Sequence, residues 1–133
     1  MASLEQIKLL INLARIDGDV AEKERQFIIN IGQANHMLVA EILPLFSGDH
    51  TVVIPSDLTV DEKFDYILHL VQLMKIDEKI YNEEIKFCAK VASNLGFSHE
   101  VMFEMMLNVK SATMGDNELE SLKRLASRYL KKN

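Results

Sequence analysis

The sequence predicts an all-α fold of about seven helices, built as two pseudo-symmetric helical hairpins from an internal duplication. Three observations carry that expectation. Apolar residues recur at helical spacing along almost the whole chain. Residues 10–37 recur at 70–97, at a fixed offset of 60 and without a gap. The length, 133 residues, suits one globule better than an open solenoid, which needs three or more units. Within the repeat Leu10, Leu13, Ile16, Asp17, Glu24 and Phe27 return unchanged as Leu70, Leu73, Ile76, Asp77, Glu84 and Phe87. Residue type persists at Ile11/Val71, Arg15/Lys75, Val20/Ile80, Ile31/Val91 and Met37/Phe97.

The elements follow in order. Residues 3–16 place Leu4, Ile7, Ile11 and Ala14 on one stripe, and Ser3 with Gln6 resembles a capping box. Asp17-Gly18-Asp19 breaks this helix, and a second, about 21–35, turns Phe27, Ile28, Ile31 and Ala34 inward. A short helix is expected from 38 to 46. Turn residues bracket the longest connection, His50 to Leu58, where the β-like run Thr51–Ile54 is too short to make a sheet. Thr59 and Glu62 match a capping box ahead of Phe64, Ile67, Leu68, Val71 and Met74. After the turn at Asp77–Ile80 a helix is expected over 81–95, with Gly96 as its C-terminal cap. Ser98 opens a sixth helix, about 98–110. Gly115 and Asp116 precede a seventh, 116–132, whose inward residues are Leu119, Leu122, Ala126 and Tyr129. The reading is one domain, 1–133, with repeat halves at about 3–46 and 59–110.

Charged residues make up 26% and apolar residues 48%, the balance of a folded, soluble chain. A net charge of -5 argues against a nucleic-acid partner, which would require a basic face. Lys123, Arg124, Arg128, Lys131 and Lys132 do cluster, but on a helix that begins with Asp116 and Glu118, so they complement its dipole. Cys88 is the single cysteine, which excludes a disulfide framework and reads as a small buried hydrophobe in a reducing compartment. No run approaches the roughly 18 apolar residues of a membrane span. With Glu5 and Lys8 in its first apolar pattern, the start does not read as a secretory signal. A cytoplasmic protein without direct membrane insertion is expected.

Two carboxylates stand out because they repeat. Glu24 precedes Phe27, Ile28 and Ile31 at helical spacing, and Glu84 precedes Phe87, Cys88 and Val91 likewise, so both face inward and need partners. One partner is backbone: the glutamates cap helix starts while Asp17 and Asp77 satisfy turn amides. The other is a hard divalent cation, Ca²⁺ or Mg²⁺, held by Asp17, Asp19 and Glu24 with Glu22 nearby. The spacing is not that of an EF-hand, since Ala21 and Ile28 occupy ligand positions, and Lys79 replaces Asp19 in the second copy. His36, His50, His69 and His99 lack ligand spacing, and His69 reads as a partly buried helix residue. No nucleophile elbow, P-loop or dinucleotide fingerprint occurs, so no enzyme is expected.

The sixth helix offers a different surface. Glu100, Glu104, Asn108 and Ser111 form its polar stripe, while Met102, Met105 and Val109 point to the core. Phe103 and Leu107 flank the stripe beside Met106 and are the apolar residues nearest a surface, suited to a protein partner or a homodimer.

The run Leu13-Ala14-Arg15-Ile16-Asp17-Gly18-Asp19-Val20 through Glu24, with a second Ile76-Asp77…Glu84 copy, resembles the TerB-like tellurite-resistance family. The resemblance covers nearly the whole chain. It implies a compact all-α fold without enzymatic activity, in stress-response systems associated with membrane-linked protein assemblies. It also implies a metal-binding acidic site, at Asp17, Asp19 and Glu24, with Asp77 and Glu84 as the second set. Two departures stand against it: the small polar helix cap is Ala21 here and Tyr81 in the second copy, and Gly18-Asp19 becomes Glu78-Lys79. Similar domains precede membrane-anchored J-domain co-chaperones, but no His-Pro-Asp tripeptide is present to imply that activity. The expected function is a non-enzymatic binding or scaffold domain in a bacterial stress response, with a cation stiffening one face for its partner. The alternative is a structural homo-oligomer with no metal site.

Overall fold

The computed structural model describes residues 4–16, 18–76, 82–109 and 114–130. The chain is all-α. Its helices are α1 (Leu4–Ala14), α2 (Glu22–Ala34), α3 (Val39–Ile42), α4 (Val60–Ile76), α5 (Asn82–Asn94), α6 (Val101–Asn108) and α7 (Asp116–Ser127), with a 3-10 turn at Leu43–Ser47. No strand forms among the described residues. Among these residues the run 51–54 is in no strand, and an antiparallel bridge joins Phe97 to Leu130. No helix among the described residues is long and apolar enough to cross a membrane.

Two compact units divide the chain, Met1–Val53 and Ile54–Asn133, and their boundary falls inside the expected long connection. In the first unit α1 packs on α2 and on the 3-10 turn, while α2 packs on α3. Burial along α1 is wider than the single stripe expected. Gln6, Ile7, Leu9, Leu10, Ile11, Leu13 and Ala14 are all buried, while the stripe residue Leu4 is 44% exposed. Ile28 and Ile31 face inward as expected, Phe27 is half-buried, and Ala34 is exposed. Ile42 of α3 is fully buried because Gly32 leaves room for it: a Cβ at 32 would lie 2.4 Å from Ile42 Cδ1. Burying that one side chain contributes about 1.5–3 kcal/mol. The chain after the 3-10 turn is tied back to α1. Arg15 donates to the Phe46 and Gly48 carbonyls, and Asn12 donates to the His50 carbonyl at 2.9 Å.

In the second unit α4 packs on α5, α6 and α7, and α6 packs on α5 and α7. The capping box at its start is present in both halves. Thr59 N–H donates to Glu62 Oε1 at 3.0 Å, and Glu62 N–H donates to Thr59 Oγ1 at 3.2 Å. Ser3, the cap expected for α1, lies outside the described residues. α6 starts at Val101 rather than at Ser98. The reason is tertiary: Ser98 N–H donates to the Tyr129 carbonyl at 2.6 Å, beside the Phe97–Leu130 bridge, which holds Ser98 out of the helix. In α7, which ends at Ser127, Leu122 and Ala126 are buried and Leu119 is half-buried, as is Tyr129 beyond its end. Its basic finish also makes a tertiary contact, because Lys123 pairs with Asp61 of α4.

The two hairpins keep the same register. α2 and α5 are both thirteen residues long, with bounds separated by 60 at each end. Both end in the same cap. Met37 N–H donates to Gly32 O at 3.0 Å, and Phe97 N–H donates to Ala92 O at 2.9 Å. The left-handed residue is His36 (φ 70) in the first hairpin and Gly96 (φ 96) in the second. Arg15 and Lys75 also act alike at matched positions, since Lys75 donates to the Val109 carbonyl of its own unit.

Candidate functional site

Of the carboxylates expected to form a site, Asp17 and Asp77 lie outside the described residues. Asp19 is exposed. Glu24 is only 4% exposed, and its Oε1 accepts the Ala21 N–H at 3.0 Å. That bond belongs to a pattern. Glu41 accepts from Leu38 N–H at 2.9 Å, Glu62 from Thr59 N–H at 3.0 Å and Glu118 from Gly115 N–H at 3.1 Å. Four helices therefore begin with a glutamate folded back on the amide three residues earlier, and the repeated Glu24 is one of them. Glu84 is buried near the start of α5, at 3% exposure. Burial, and after it the Glu84 carboxylate, pushes the Cys88 thiol up; Cys88 Sγ lies 3.7 Å from Met74 Sδ. A buried thiol held protonated is unreactive.

Basic side chains also stand at the first turn. Arg15, Gly18, Asp19, Val20, Arg25 and Phe46 line an open cavity of about 360 Å³. The Arg25 guanidinium sits over the Phe46 ring, 5.2 Å from its centroid. Arg15 Nη1 lies 3.9 Å from the exposed Asp49 carboxylate. Among the described residues two guanidiniums thus stand beside two exposed aspartates, Asp19 and Asp49. Among the described residues no group of three or more His, Cys, Asp or Glu is placed to hold a metal ion. Sequence reasoning missed this cavity because Arg15 and Phe46 stand 31 residues apart. The only available signal was the basic residue that recurs as Arg15/Lys75.

The α6 surface matches its sequence more closely. Met102, Met105 and Val109 are buried, whereas Phe103 is 61% and Leu107 77% exposed, with Met106 half-buried between them. Glu100 is exposed and Glu104 half-buried on the same outer side. Burial, then the Glu104 carboxylate that it bonds, raises the Tyr129 phenol above its ordinary value. A second cavity, about 400 Å³, opens between α4 and α7 and is rimmed by Asp61, Asp65, Asp116 and Glu120, with Lys123 reaching Asp61. Burial there holds the Asp65 carboxyl above its usual value.

The described residues thus form an all-α chain with an exposed apolar pair on α6 and an arginine-lined turn after α1. No known family, curated protein or solved structure matches the chain.

Proposed function

We propose that this chain is a non-enzymatic helical interaction domain, of the TerB-like kind its turn motif resembles, that docks a protein partner on α6. The observation that carries the reading is the exposure of Phe103 and Leu107, at 61% and 77%, one turn apart on one helix. Single exposed apolar residues are ordinary, but two large ones side by side form the start of a docking stripe.

Charge favours a partner over a second copy. Glu100 and Glu104 interleave with the apolar pair, so an isologous pairing sets this acidic face against itself, in a chain that already carries -5. The complementary occupant is an amphipathic helix with an apolar i, i+4 pair flanked by Lys or Arg. The pair offers roughly 250 Å², well below the roughly 800 Å² per partner of a stable interface, so the contact is transient. A scaffold contact in a cytoplasmic stress-response assembly is the setting the resemblance supplies.

The test is an NMR titration with a synthetic Leu/Lys amphipathic peptide and its Leu/Glu counterpart, beside sedimentation of the free protein. Only the Leu/Lys peptide is expected to shift α6 resonances. Leu107→Asp is expected to abolish the shift with helicity unchanged, although it adds negative charge. No shift with either peptide overturns the docking reading. A concentration-dependent dimer lost in Leu107→Asp replaces the partner with a second copy.

A further inference from the structure

Two residues that line this turn change character in the second half of the sequence. At the offset of 60, Arg25 and Phe46 become Ile85 and Met106. An apolar pair thus occupies these positions in one unit, whereas the other holds a guanidinium over a ring at the wall of a cavity. The difference is chemical, since stacking on an aromatic face leaves the edge N–H groups of a guanidinium available to an in-plane acceptor.

Arg15 completes the arrangement. Of its five N–H donors, two go to the Phe46 and Gly48 carbonyls, which fixes the plane of the guanidinium beside the same cavity. The matching acceptor for such forks is a carboxylate or phosphate group, bound by parallel charge-assisted hydrogen bonds. Among the described residues two carboxylates oppose it. Asp19 lines the cavity and Asp49 lies 3.9 Å from Arg15, but both are exposed, where solvent screens their charge. A volume of about 360 Å³ is that of a pocket for a small organic molecule rather than a bare ion.

We propose that this cavity is an oxyanion site, in which Arg15 and Arg25 hold the carboxylate or phosphate head of a small molecule against Phe46. The site belongs to the first unit and α6 to the second, and its ligand is opposite in charge to the cation that the motif resemblance implies.

Amide spectra of the ¹⁵N-labelled protein, titrated separately with inorganic phosphate, acetate and chloride at constant ionic strength, test it. Saturable shifts at Gly18, Asp19 and Val20 are expected with phosphate or acetate, and the tighter of the two names the head group. Arg25→Gln is expected to weaken binding about tenfold. Arg25→Lys keeps the charge but not the fork, so its affinity should fall between. Arg25 is exposed, so its variants should keep the wild-type melting temperature. Shifts that chloride reproduces, or binding unchanged in Arg25→Gln, overturn the proposal. Saturable Ca²⁺ binding at the same amides, abolished by Asp19→Asn, overturns it in favour of the cation.

Discussion

The two units share one hairpin register but close it with different side chains. In the first, Gly32 admits a fully buried Ile42; in the second, the matched positions are Ala92 and Met102, both buried. The first uses an arginine fork to hold two loop carbonyls, whereas the second uses Lys75 on one. Position 9 is a buried leucine, and position 69 is a histidine. What is common to both units is the bounds of α2 and α5, their C-terminal caps and a basic tether to a loop carbonyl. What differs is chemistry, and both proposed surfaces lie where the units differ. Phe103 stands opposite Leu43 in register, but Leu107 stands opposite Ser47. Arg25 stands opposite Ile85. Shared positions therefore report folding, and unshared ones are where binding is to be sought.

The largest expected effect comes from exchanging position 69 for its counterpart. Burial lowers the His69 pKa to about 4, so the ring stays neutral in the folded protein. In the unfolded chain it titrates near 6.5. Between these values only the unfolded state takes up the proton. Stability is fully present above about pH 6.5 and falls as pH drops toward 4. The full loss is about 3 kcal/mol at most, reduced because the side chain keeps some contact with solvent. His69→Leu installs the residue of the first unit and should remove this slope. Urea unfolding at pH 7.5 and 4.5 reads it, since carboxylate contributions cancel between wild type and variant. Equal acid losses in the two proteins would mean that His69 protonates in the fold.

Close packing at Gly32 gives the next effect. Its Cβ would meet Ile42 Cδ1 at 2.4 Å and Cγ1 at 3.2 Å. Gly32→Ala should cost about 1–2 kcal/mol net, even though alanine favours a helix by about 1 kcal/mol. Ile42→Val deletes the clashing Cδ1 atom, so in that background Gly32→Ala should become neutral or stabilising. The coupling, measured by a double-mutant cycle, should reach about 1–2 kcal/mol. Additive effects would show that Ile42 simply rotates away, and the contrast with Ala92 would lose its meaning.

These cases show which parts of the molecule are local. Thr59 and Glu62, Gly96, and the division of α6 into buried Met102, Met105 and Val109 against exposed Phe103 and Leu107 were legible because each rests on residues within a turn or two. The start of α6 was not, because Ser98 is held by Tyr129 from beyond α7. The Arg25–Phe46 and Lys123–Asp61 contacts leave no periodic trace, joining residues distant in sequence. The candidate site followed the same rule. Glu24 could be read as an inward carboxylate, but its bond to the Ala21 amide, and the arginines that line the nearby cavity, could not be chosen from spacing alone.

The smallest effect separates backbone cost from side-chain packing in the shared cap. His36 holds φ 70, a conformation that costs a residue with a Cβ about 1 kcal/mol relative to glycine. Gly96 holds φ 96 at the matched position, and the nearest atom to a Cβ there is Lys63 Nζ at 3.9 Å, so space is not limiting. His36→Gly should therefore raise stability by about 0.5–1 kcal/mol, and Gly96→Ala should lower it by about the same amount. Each change should shift the melting temperature by a few degrees in opposite directions. Because the two caps make the same pair of backbone bonds, unequal shifts would locate a contribution from the His36 ring itself. Equal and opposite shifts would establish that the caps are interchangeable and that His36 is retained at a net cost to folding.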